Sequence, residues 1–590
     1  MIRLLRGPAL NQFGWAGLLF ALLPLSSRCS AFAQVALVAP DHPFYIDCSA
    51  SSAGDGSVEH PWNNLAAAEA HTFSAGDRLA LARGTVCGGS FAPKGSGAEG
   101  NPIRLTAYGR GARPRIVATG KDREALLLFN QEYWQIDSLD ISGGNHYGIF
   151  VSGDKGRMHH IYLKNLFVHD VYGGEFKNKD NGLVVVGPSG RDAVFDDIVV
   201  DGVTAAHTNQ WAGVLIGGGN YAWAQDAPLN NHITVRNSSV QDVYGDGIIL
   251  FRDSNGLIET STAWETGMEP TENSPGIDGG AYDIDWDNTR NTLERNYAHD
   301  TQGYCLAVFA AGYVTSESLV RDNLCIDNGL SPRLSVLQGA VYLHTWNDGV
   351  LRGLRMEHNT IVWNPPVSSA AAIVDDASTG EAPVRFSGNR IESAATNFYR
   401  ASTPFAPSAN TYVYTGAGEA RFTLGDKKNV ALAALQSVNF EQGSTLQESV
   451  APSKTAAALR LDASIDFTLD GDGLLTSGAR AQLMVLRSLA AQYGPGVLDV
   501  TVHLHTAENR GGPKADAEAN ALFDLDAGAI HFDHDAQREG AIQLRAAAGQ
   551  ILEEWKGFQN AATLGGAVRT RLGAPHFAAM RSTPLMEGKQ

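Results

Sequence analysis

A short motif that returns at regular intervals restricts the fold of this chain more than any other feature of its sequence. An Asn or Asp between two apolar runs occurs at Asn165, Asp201, Asn237, Asn296, Asn323, Asn359 and Asn389, with intervals of 36, 36, 59, 27, 36 and 30 residues. Glu259 divides the long interval. Apolar runs that begin with glycine alternate with this series: Gly148–Val151, Gly182–Val185, Gly213–Ile216 and Gly247–Leu250. Repeats of this length are typical of a solenoid whose coils bury their apolar faces by stacking. We therefore predict an all-β solenoid, in which the Asn series forms a ladder of side chains bonded to turn backbone.

Length, composition and charge agree with such a fold. The 590 residues exceed one ordinary core and suit a solenoid with a smaller second domain. Only 18% of residues are charged and 64 are glycine, which favours short strands joined by tight turns. The net charge of -18 argues against nucleic acid as a partner, because phosphate binding needs a basic surface.

The N-terminus has the pattern of a secretory signal peptide. Arg3 and Arg6 precede the apolar run Trp15–Leu25, and Ala31-Phe32-Ala33 supplies the small residues of a cleavage site. The run is too short to span a bilayer, and no later segment is apolar enough to do so. We predict a signal peptide at residues 1–33, a mature chain that starts near Gln34, and a secreted or periplasmic monomer with no membrane partner.

The region from Phe44 to Ile116 resembles the N-terminal cap of secreted right-handed parallel β-helix proteins of the pectate-lyase-like superfamily. The matching residues are Asp55-Gly56, Pro61-Trp62, Gly76-Asp77, Arg83-Gly84, Asn101-Pro102-Ile103 and Tyr108-Gly109. The resemblance implies a right-handed parallel β-helix. It does not fix the reaction, because these proteins include lyases, hydrolases, epimerases and adhesins.

Four cysteines follow the predicted cleavage site, and an oxidising compartment favours their pairing. We expect a disulfide between Cys48 and Cys87, which both lie in the glycine-rich entry region. Cys305 and Cys325 lie in apolar runs. The sequence does not decide whether they are buried free thiols or form a disulfide.

The repeats fade after Glu392, and the remainder of the chain divides into two parts. We predict that the β-helix occupies residues 34–446, closed by a hairpin and a small helix within Thr411–Ser444, and that residues 447–456 form a linker. Residues 457–590 resemble a thioredoxin-like domain: a helix at Arg480–Tyr493, strands at Val497–Leu504, Ala541–Leu544 and Gly549–Trp555, and a helix at Ala561–Leu572. Thr476–Arg480 replaces the Cys-x-x-Cys motif and the module has no cysteine, so we expect no thiol-exchange activity.

The best candidate for chemistry is the stretch Tyr282–Asp287, where apolar and acidic residues alternate. This period of two predicts a strand whose buried face carries Tyr282, Ile284 and Trp286, and whose outer face carries Asp283, Asp285 and Asp287. Neighbours on one face are about 6.6 Å apart, and inverting glycosidases separate their acid and base by roughly 6.5–9.5 Å. We therefore expect Asp283 and Asp285 to be catalytic, with the outward Ile249 and Phe251 of the preceding coil raising one pKa.

The remaining candidates are substrate contacts and alternatives. In Gly339–Asn347 we expect Tyr342 and His344 to point outward two coils away and, with Asp287, to bind an extended polysaccharide. Asp246 is interpreted as a turn residue. A hydrolase would need no cofactor. A lyase with bound Ca²⁺ would need a base such as Arg252 or Arg321, since no Lys lies between Lys179 and Lys427. A non-catalytic glycan-binding protein is the third class that stays open.

Overall fold

The computed structural model describes residues 42–173, 180–217, 228–267, 279–331, 339–363, 370–380, 382–402, 404–416 and 418–448, together with five strands between residues 459 and 556. The predicted signal peptide, the two helices predicted after residue 479 and most of the predicted linker lie outside these residues. Among the described helices, none is long and apolar enough to cross a membrane.

The described residues between 42 and 448 form a parallel β-helix whose coils contribute strands to three stacks. The first stack consists of Glu124–Phe129, the first parts of Tyr147–Lys164 and Gly182–Asp201, Ala212–Ile216, Ile248–Phe251, Tyr282–Asp285, Leu306–Ala311, Val341–Trp346, Ala371–Asp375, Asn397–Ala401 and Arg421–Leu424.

The second stack follows the first along each coil. It consists of His42–Ile46, Asp77–Ala82, Ile103–Tyr108, Trp134–Asp137, the last parts of Tyr147–Lys164 and Gly182–Asp201, Asn230–Arg236, Asp253–Ser254, Leu257–Glu259, Thr292–Glu294, Leu319–Arg321, Arg355–Glu357, Val384–Ser387 and Phe405–Ser408.

The third stack completes each coil. It consists of Val86–Gly88, Arg115–Val117, Asp140–Ser142, Phe167–Val171, Thr204–Thr208, Ser239–Gln241, Thr262–Trp264, Tyr297–His299, Leu324–Ile326, Thr360–Trp363, Arg390–Ser393, Thr411–Tyr414 and Thr445–Glu448. Two further pairs, Thr72–Phe73 with Lys94–Gly95 and Val314–Ser316 with Val350–Arg352, lie outside the stacks.

The core is built by apolar side chains that repeat in register from coil to coil. In the first stack, one fully buried row runs through Ile149, Val184, Val214, Ile248, Tyr282, Leu306, Val341, Ile373, Tyr399 and Phe422. No single coil could bury this row, because the neighbours of each side chain belong to the coils on either side. The period-two pattern of each strand therefore fixes which residues remain on the outer face.

The predicted asparagine ladder is present. Its later members are the residues that the sequence predicts, but in the earlier coils the ladder position lies one residue after Asn165 and Asn237. Buried Asn296, Asn323, Asn359, Asn389 and Asn410 each accept an N–H from the previous coil at 2.9–3.1 Å and donate to a carbonyl oxygen at 2.9–3.0 Å. Asn165 and Asn237 lie in turns, as predicted, but at the preceding position, where φ is 50° and 48°. The ladder position in the earlier coils belongs to Ser238 and Ser261, so Glu259 is not a member.

Both ends of the β-helix are closed by local structure. The helix Leu65–Glu69 begins at Asn64, whose side chain accepts the N–H of Ala67 at 2.9 Å. At the other end, Arg421–Leu424 and Lys427–Val430 form an antiparallel hairpin that precedes the helix Leu432–Gln436. Thr445–Glu448 pairs with Thr411–Tyr414, so the last strand includes two residues that the sequence assigns to the linker.

Two disulfides join residues of the β-helix. Cys48 bonds to Cys87, the pair expected from the sequence, and Cys305 bonds to Cys325 across one coil, where the sequence left a thiol and a bridge open.

The C-terminal strands form a separate mixed sheet. Their order is Ile530–Asp533, Leu498–Thr506, Leu459–Phe467, Ala541–Ala546 and Ile551–Lys556. The first three are parallel and the last two are antiparallel to their neighbours. The thioredoxin-like assignment stays a prediction.

Candidate active site

The acidic strand Tyr282–Asp285 lies in the first stack with the predicted side-chain alternation. Tyr282 and Ile284 are buried in the core. Asp283 lies between Ile249 of the preceding coil and Ala307 of the following coil, and Phe251 is in register with Asp285. The expected neighbours of the two acids are therefore present on the outer face.

Trp286 is not a core residue, contrary to the sequence prediction. Its φ of 73° ends the extended strand and breaks the period of two. The half-buried indole instead packs on the outer face, 5.1 Å from the Phe251 ring and 6.4 Å from the Tyr313 ring. We call Phe251, Trp286 and Tyr313 the Trp286 cluster.

The break at Trp286 also changes the surroundings of Asp287. Asp287 follows the end of the strand, half-buried, and its carboxylate lies 3.5 Å from the Arg252 guanidinium. Burial raises the pKa of Asp287, and the charge of Arg252 opposes that rise. Asp287 therefore does not continue the row of Asp283 and Asp285.

Asp283 is buried, which corrects the expectation of an exposed carboxylate. Only 2% of the residue is exposed, whereas Asp285 is half-buried. The Tyr304 hydroxyl lies 3.0 Å from Asp283 Oδ2 and 3.0 Å from Asp246 Oδ1. The two carboxyl oxygens are thus separated by no more than twice that distance, with one phenol oxygen between them.

Asp246 is more than a turn residue. Its Oδ1 atom accepts the N–H groups of Gly279 and Gly280, both at 2.8 Å, as well as the Tyr304 hydroxyl. Gly279 has a φ of 112°, a backbone conformation that favours glycine. This conformation lets the N–H groups of Gly279 and Gly280 both point at the Asp246 carboxylate.

Gly280 makes room for Tyr304. A Cβ atom at Gly280 would lie 1.9 Å from Cε2 and 2.0 Å from Cδ2 of the Tyr304 ring. The ring thus lies directly over the intervening coil and reaches Asp246 two coils back.

Tyr304 is fully buried, and its environment keeps the phenol neutral. Burial raises the pKa of Tyr304 well above its usual range, and the carboxylates of Asp246, Asp283 and Asp285 add to the rise. A phenol in this state keeps its hydrogen, so it can donate one hydrogen bond and is a poor base.

A second aromatic group lies two coils from Asp283. Ala307 is in register with Asp283 and Tyr342 is in register with Ala307, as expected. Along the strand Val341–Trp346, the ring of His344 lies 5.5 Å from that of Tyr342 and 5.5 Å from that of Trp346. Phe309 meets this row edge-on. We call Phe309, Tyr342, His344 and Trp346 the Trp346 cluster.

Members of the Trp346 cluster differ in exposure. Tyr342 is only 3% exposed, so it supports the row and offers no free ring face. Burial raises its pKa, and Asp376 adds to the rise. His344 and Trp346 are half-buried, and His344 Nδ1 lies 2.6 Å from Asp376 Oδ1.

The two arginines considered as lyase bases have different positions. Arg252 lies beside the Trp286 cluster, with its guanidinium 5.9 Å from the centre of the Tyr313 ring. Arg321 lies in the second stack and bonds Glu294 at 2.6 Å, which raises the pKa of its guanidinium. Within the described part of the chain, no group of three or more His, Cys, Asp or Glu side chains is arranged to hold a metal ion.

The sequence contained an unused sign of the Asp246–Tyr304 contact. Asp246, Gly280 and Tyr304 each stand two residues before a first-stack strand, so they occupy equivalent positions of three consecutive coils. An acid, a glycine and a tyrosine at this one position of the repeat predict that the tyrosine side chain passes over the glycine of the middle coil and reaches the acid.

Comparisons with known proteins agree with the architecture. The family model described as right handed beta helix region matches residues 124–361 and 230–403. No curated protein matches the sequence significantly.

Three similar solved structures each cover between 61% and 65% of this chain. One is a GH136 lacto-N-biosidase from Eubacterium ramulus, with 18% identity and a TM-score of 0.46 over 65% of this chain and 68% of that chain. Another is an alginate lyase from Paenibacillus sp. str. FPU-7, with 15% identity and a TM-score of 0.36 over 61% of this chain and 97% of that chain. A third is PfbA, a surface adhesin of Streptococcus pneumoniae, with 10% identity and a TM-score of 0.31 over 64% and 86% of the two chains.

The three stacks of parallel strands and the match to the family model together show that this chain contains a right-handed parallel β-helix.

Proposed function

We propose that the protein is a polysaccharide hydrolase in which Asp283 is the general acid and Asp285 the general base. One observation carries this proposal: two carboxyl groups on one face of the strand Tyr282–Asp285 differ sharply in environment. Asp283 is buried against Tyr304, whereas Asp285 is half-buried beside Phe251. Environments that separate the protonation states of two neighbouring carboxyl groups are what acid–base hydrolysis of a glycosidic bond requires.

The spacing of the two acids favours hydrolysis with inversion. Residues i and i+2 of a strand are about 6.6 Å apart, which agrees with the roughly 6.5–9.5 Å between carboxyl groups that leaves room for a water molecule. Asp283 donates its proton to the glycosidic oxygen, and Asp285 accepts a proton from the water that attacks the sugar carbon.

The aromatic residues around the acids support a sugar substrate. The Trp286 cluster adjoins Asp285, and the Trp346 cluster lies two coils away, which is about 10 Å at the usual strand spacing. Half-buried rings such as Trp286 and Trp346 can pack against the apolar faces of sugar rings. His344 binds hydroxyl groups, and Asp287 holds Arg252 in place.

The charge at the site favours a neutral polysaccharide. Asp246, Asp283 and Asp285 all act electrostatically on Tyr304, so three carboxyl groups are close together. A uronate polymer, the substrate of lyases, would bring further negative charge to them. The hydrolase is therefore preferred over the lyase.

A panel of neutral and acidic polysaccharides, with and without a chelator, tests the proposal. We expect new reducing ends from a neutral glycan, no ultraviolet absorbance from unsaturated products, and inversion of the anomeric centre by NMR. Unsaturated products that disappear with chelator would instead identify a Ca²⁺-dependent lyase. Binding without cleavage would identify a glycan-binding protein.

Substitution of the two acids tests the assigned residues. Asp283→Asn and Asp285→Asn should each reduce kcat by about 10²–10⁴-fold, the usual contribution of a general acid or base. Both variants should keep the fold, because Asn has nearly the same shape as Asp. Asp322→Asn is the matched control: this Asp is half-buried in a turn of another face, and its φ of 55° suits Asn. Full turnover in both site variants would contradict the assignment.

A further inference from the structure

We propose that Asn288 and Thr315 are positioning residues that hold the Trp286 indole on the outer face beside Asp285, where the indole stacks on a sugar ring of the substrate. Trp286 is then a specificity-determining residue that favours pyranose rings with an apolar C–H face. This stacking role rests on the function proposed above, whereas the positioning of Trp286 does not.

The backbone conformation of Trp286 is unusual for a bulky residue. Its φ of 73° lies in the left-handed region, which strains every residue type more than glycine. Arg252, at the equivalent position of the preceding coil, also has a positive φ, 55°. The turn therefore calls for this conformation in both coils, and glycine would adopt it with less strain. A tryptophan at such a position indicates that its side chain is used.

Asn288 holds the peptide group on the N-terminal side of Trp286. Its fully buried side chain donates from Nδ2 to the carbonyl oxygen of Asp285. The Oδ1 atom of the same amide accepts the Asp253 N–H at 3.1 Å and the side-chain N–H of Asn291 at 2.8 Å. Because both donors point at Oδ1, the amide has one orientation, and that orientation directs Nδ2 at Asp285.

Thr315 holds the peptide group on the C-terminal side of Trp286. This residue of the following coil is only 2% exposed, and its hydroxyl group donates to the carbonyl oxygen of Trp286. The carbonyl oxygen of Phe309 lies further from the hydroxyl group, at 2.9 Å. Buried side chains thus bond the two peptide groups that flank the Trp286 Cα atom, which is how a protein maintains a strained φ.

The position of the indole suits a sugar ring at the point of cleavage. Trp286 directly follows Asp285, the proposed general base, and its half-buried ring belongs to the Trp286 cluster. An aromatic ring beside the base can receive the C–H face of the sugar whose carbon the water attacks. A pyranose with only equatorial hydroxyl groups presents such a face, whereas an axial hydroxyl group places an oxygen on it.

Fluorine NMR of protein labelled with fluorotryptophan tests the positioning without substrate. The chain contains ten tryptophans, so Trp286→Phe is used to identify the Trp286 resonance. Thr315→Val keeps the shape of the side chain but removes the hydroxyl group, and we expect it to shift this resonance by more than the line width. Thr315→Ser should restore the original shift, and Asn288→Ala should move the same resonance. An unmoved Trp286 resonance in Thr315→Val would overturn the positioning role.

Thr208→Val is the matched control for loss of a buried hydroxyl group. Thr208 is also 2% exposed, and it donates to the carbonyl oxygen of Val171 in the preceding coil at 2.6 Å. Both residues belong to the third stack, away from Trp286. The variant should leave the Trp286 resonance in place. An equal shift in Thr208→Val and Thr315→Val would show that Thr315 has no specific role.

Oligosaccharides of known stereochemistry test the stacking role. Cellohexaose, laminarihexaose and xylohexaose have only equatorial ring hydroxyl groups, whereas each mannohexaose ring has one axial hydroxyl group. We expect at least one of the first three to shift the Trp286 resonance, and mannohexaose to bind about tenfold more weakly or not at all. A resonance that responds to none of the four, or equally to mannohexaose, would overturn the stacking role.

Kinetics on a glycan that the wild type cleaves separate stacking from distortion of the site. Stacking acts on the bound substrate and on the transition state alike, so Trp286→Ala and Thr315→Val should raise KM about tenfold and change kcat little. A reduced kcat with unchanged KM would instead indicate displacement of Asp285 and would contradict the stacking role. If no glycan is cleaved, the proposed function fails, while the fluorine spectra of Thr315→Val still decide the positioning of Trp286.

Discussion

Asp375 shows how a single acid can oppose the stability of the β-helix. The residue is buried and in register with the interior Leu343, and its Oδ1 atom accepts the Ala377 N–H at 3.0 Å. Burial raises the pKa of Asp375 to about 7. The folded state therefore binds a proton that the unfolded chain releases near pH 4.

The sign of this effect gives a prediction for Asp375→Asn. Because the folded pKa is raised, the contribution of Asp375 to stability is fully present below pH 4 and is lost as the pH rises toward 7. At about 1.4 kcal/mol per pKa unit the loss is at most ~4 kcal/mol, and an unpaired amide would offset roughly 1–3 kcal/mol of the gain. We expect the variant to be more stable than the wild type at pH 8 by roughly 1–3 kcal/mol in urea unfolding, and to have no such advantage at pH 4. A greater advantage at pH 4 than at pH 8 would contradict the assignment.

Turns between the second and third stacks hold successive coils together through the asparagine ladder. Asn323 is typical: its Oδ1 atom accepts the backbone and side-chain N–H groups of Asn296, and its Nδ2 atom donates to Leu293 at 2.9 Å. All of these groups are buried. The ladder thus satisfies backbone that no strand pairing could satisfy at a turn.

Removal of one ladder member should be costly. Asn323→Ala leaves a buried N–H and a buried C=O without their partner, at about 1–3 kcal/mol for each group. We expect a loss of roughly 2–4 kcal/mol in urea unfolding. Asn165→Gly is the control, since Asn165 lies half-buried at the turn position with a φ of 50°, which glycine tolerates, and the change removes the side-chain hydrogen bond to Asp137 at 3.0 Å. Equal losses in the two variants would show that the ladder has no special role.

Across the whole molecule, the sequence predicts what depends on periodicity and misses what depends on exact alignment or unusual backbone. The all-β solenoid, the register of Ile249 with Asp283 and the outward Tyr342 all follow from the repeat. The period of two places Trp286 in the core, and nothing local marks its φ of 73°, which bulky residues seldom adopt and which ends that period. Tyr304 does not follow from the periodicity, because its partner Asp246 lies 58 residues and two coils away.

The predicted linker between the β-helix and the C-terminal sheet should be open to proteolysis. Gln447 and Glu448 pair with Val413 and Tyr414, so the predicted linker can be cleaved only after Glu448 without loss of strand pairing. Its sequence there, Ser-Val-Ala-Pro-Ser-Lys, contains the tryptic site Lys454. Limited trypsinolysis should yield a fragment that ends at Lys454 and keeps full glycan-cleaving activity, since every residue assigned to the site precedes Glu448. The remaining fragment should be inert in insulin reduction, because it has no cysteine. Loss of glycan cleavage on proteolysis at Lys454 would show that the C-terminal sheet contributes to the site.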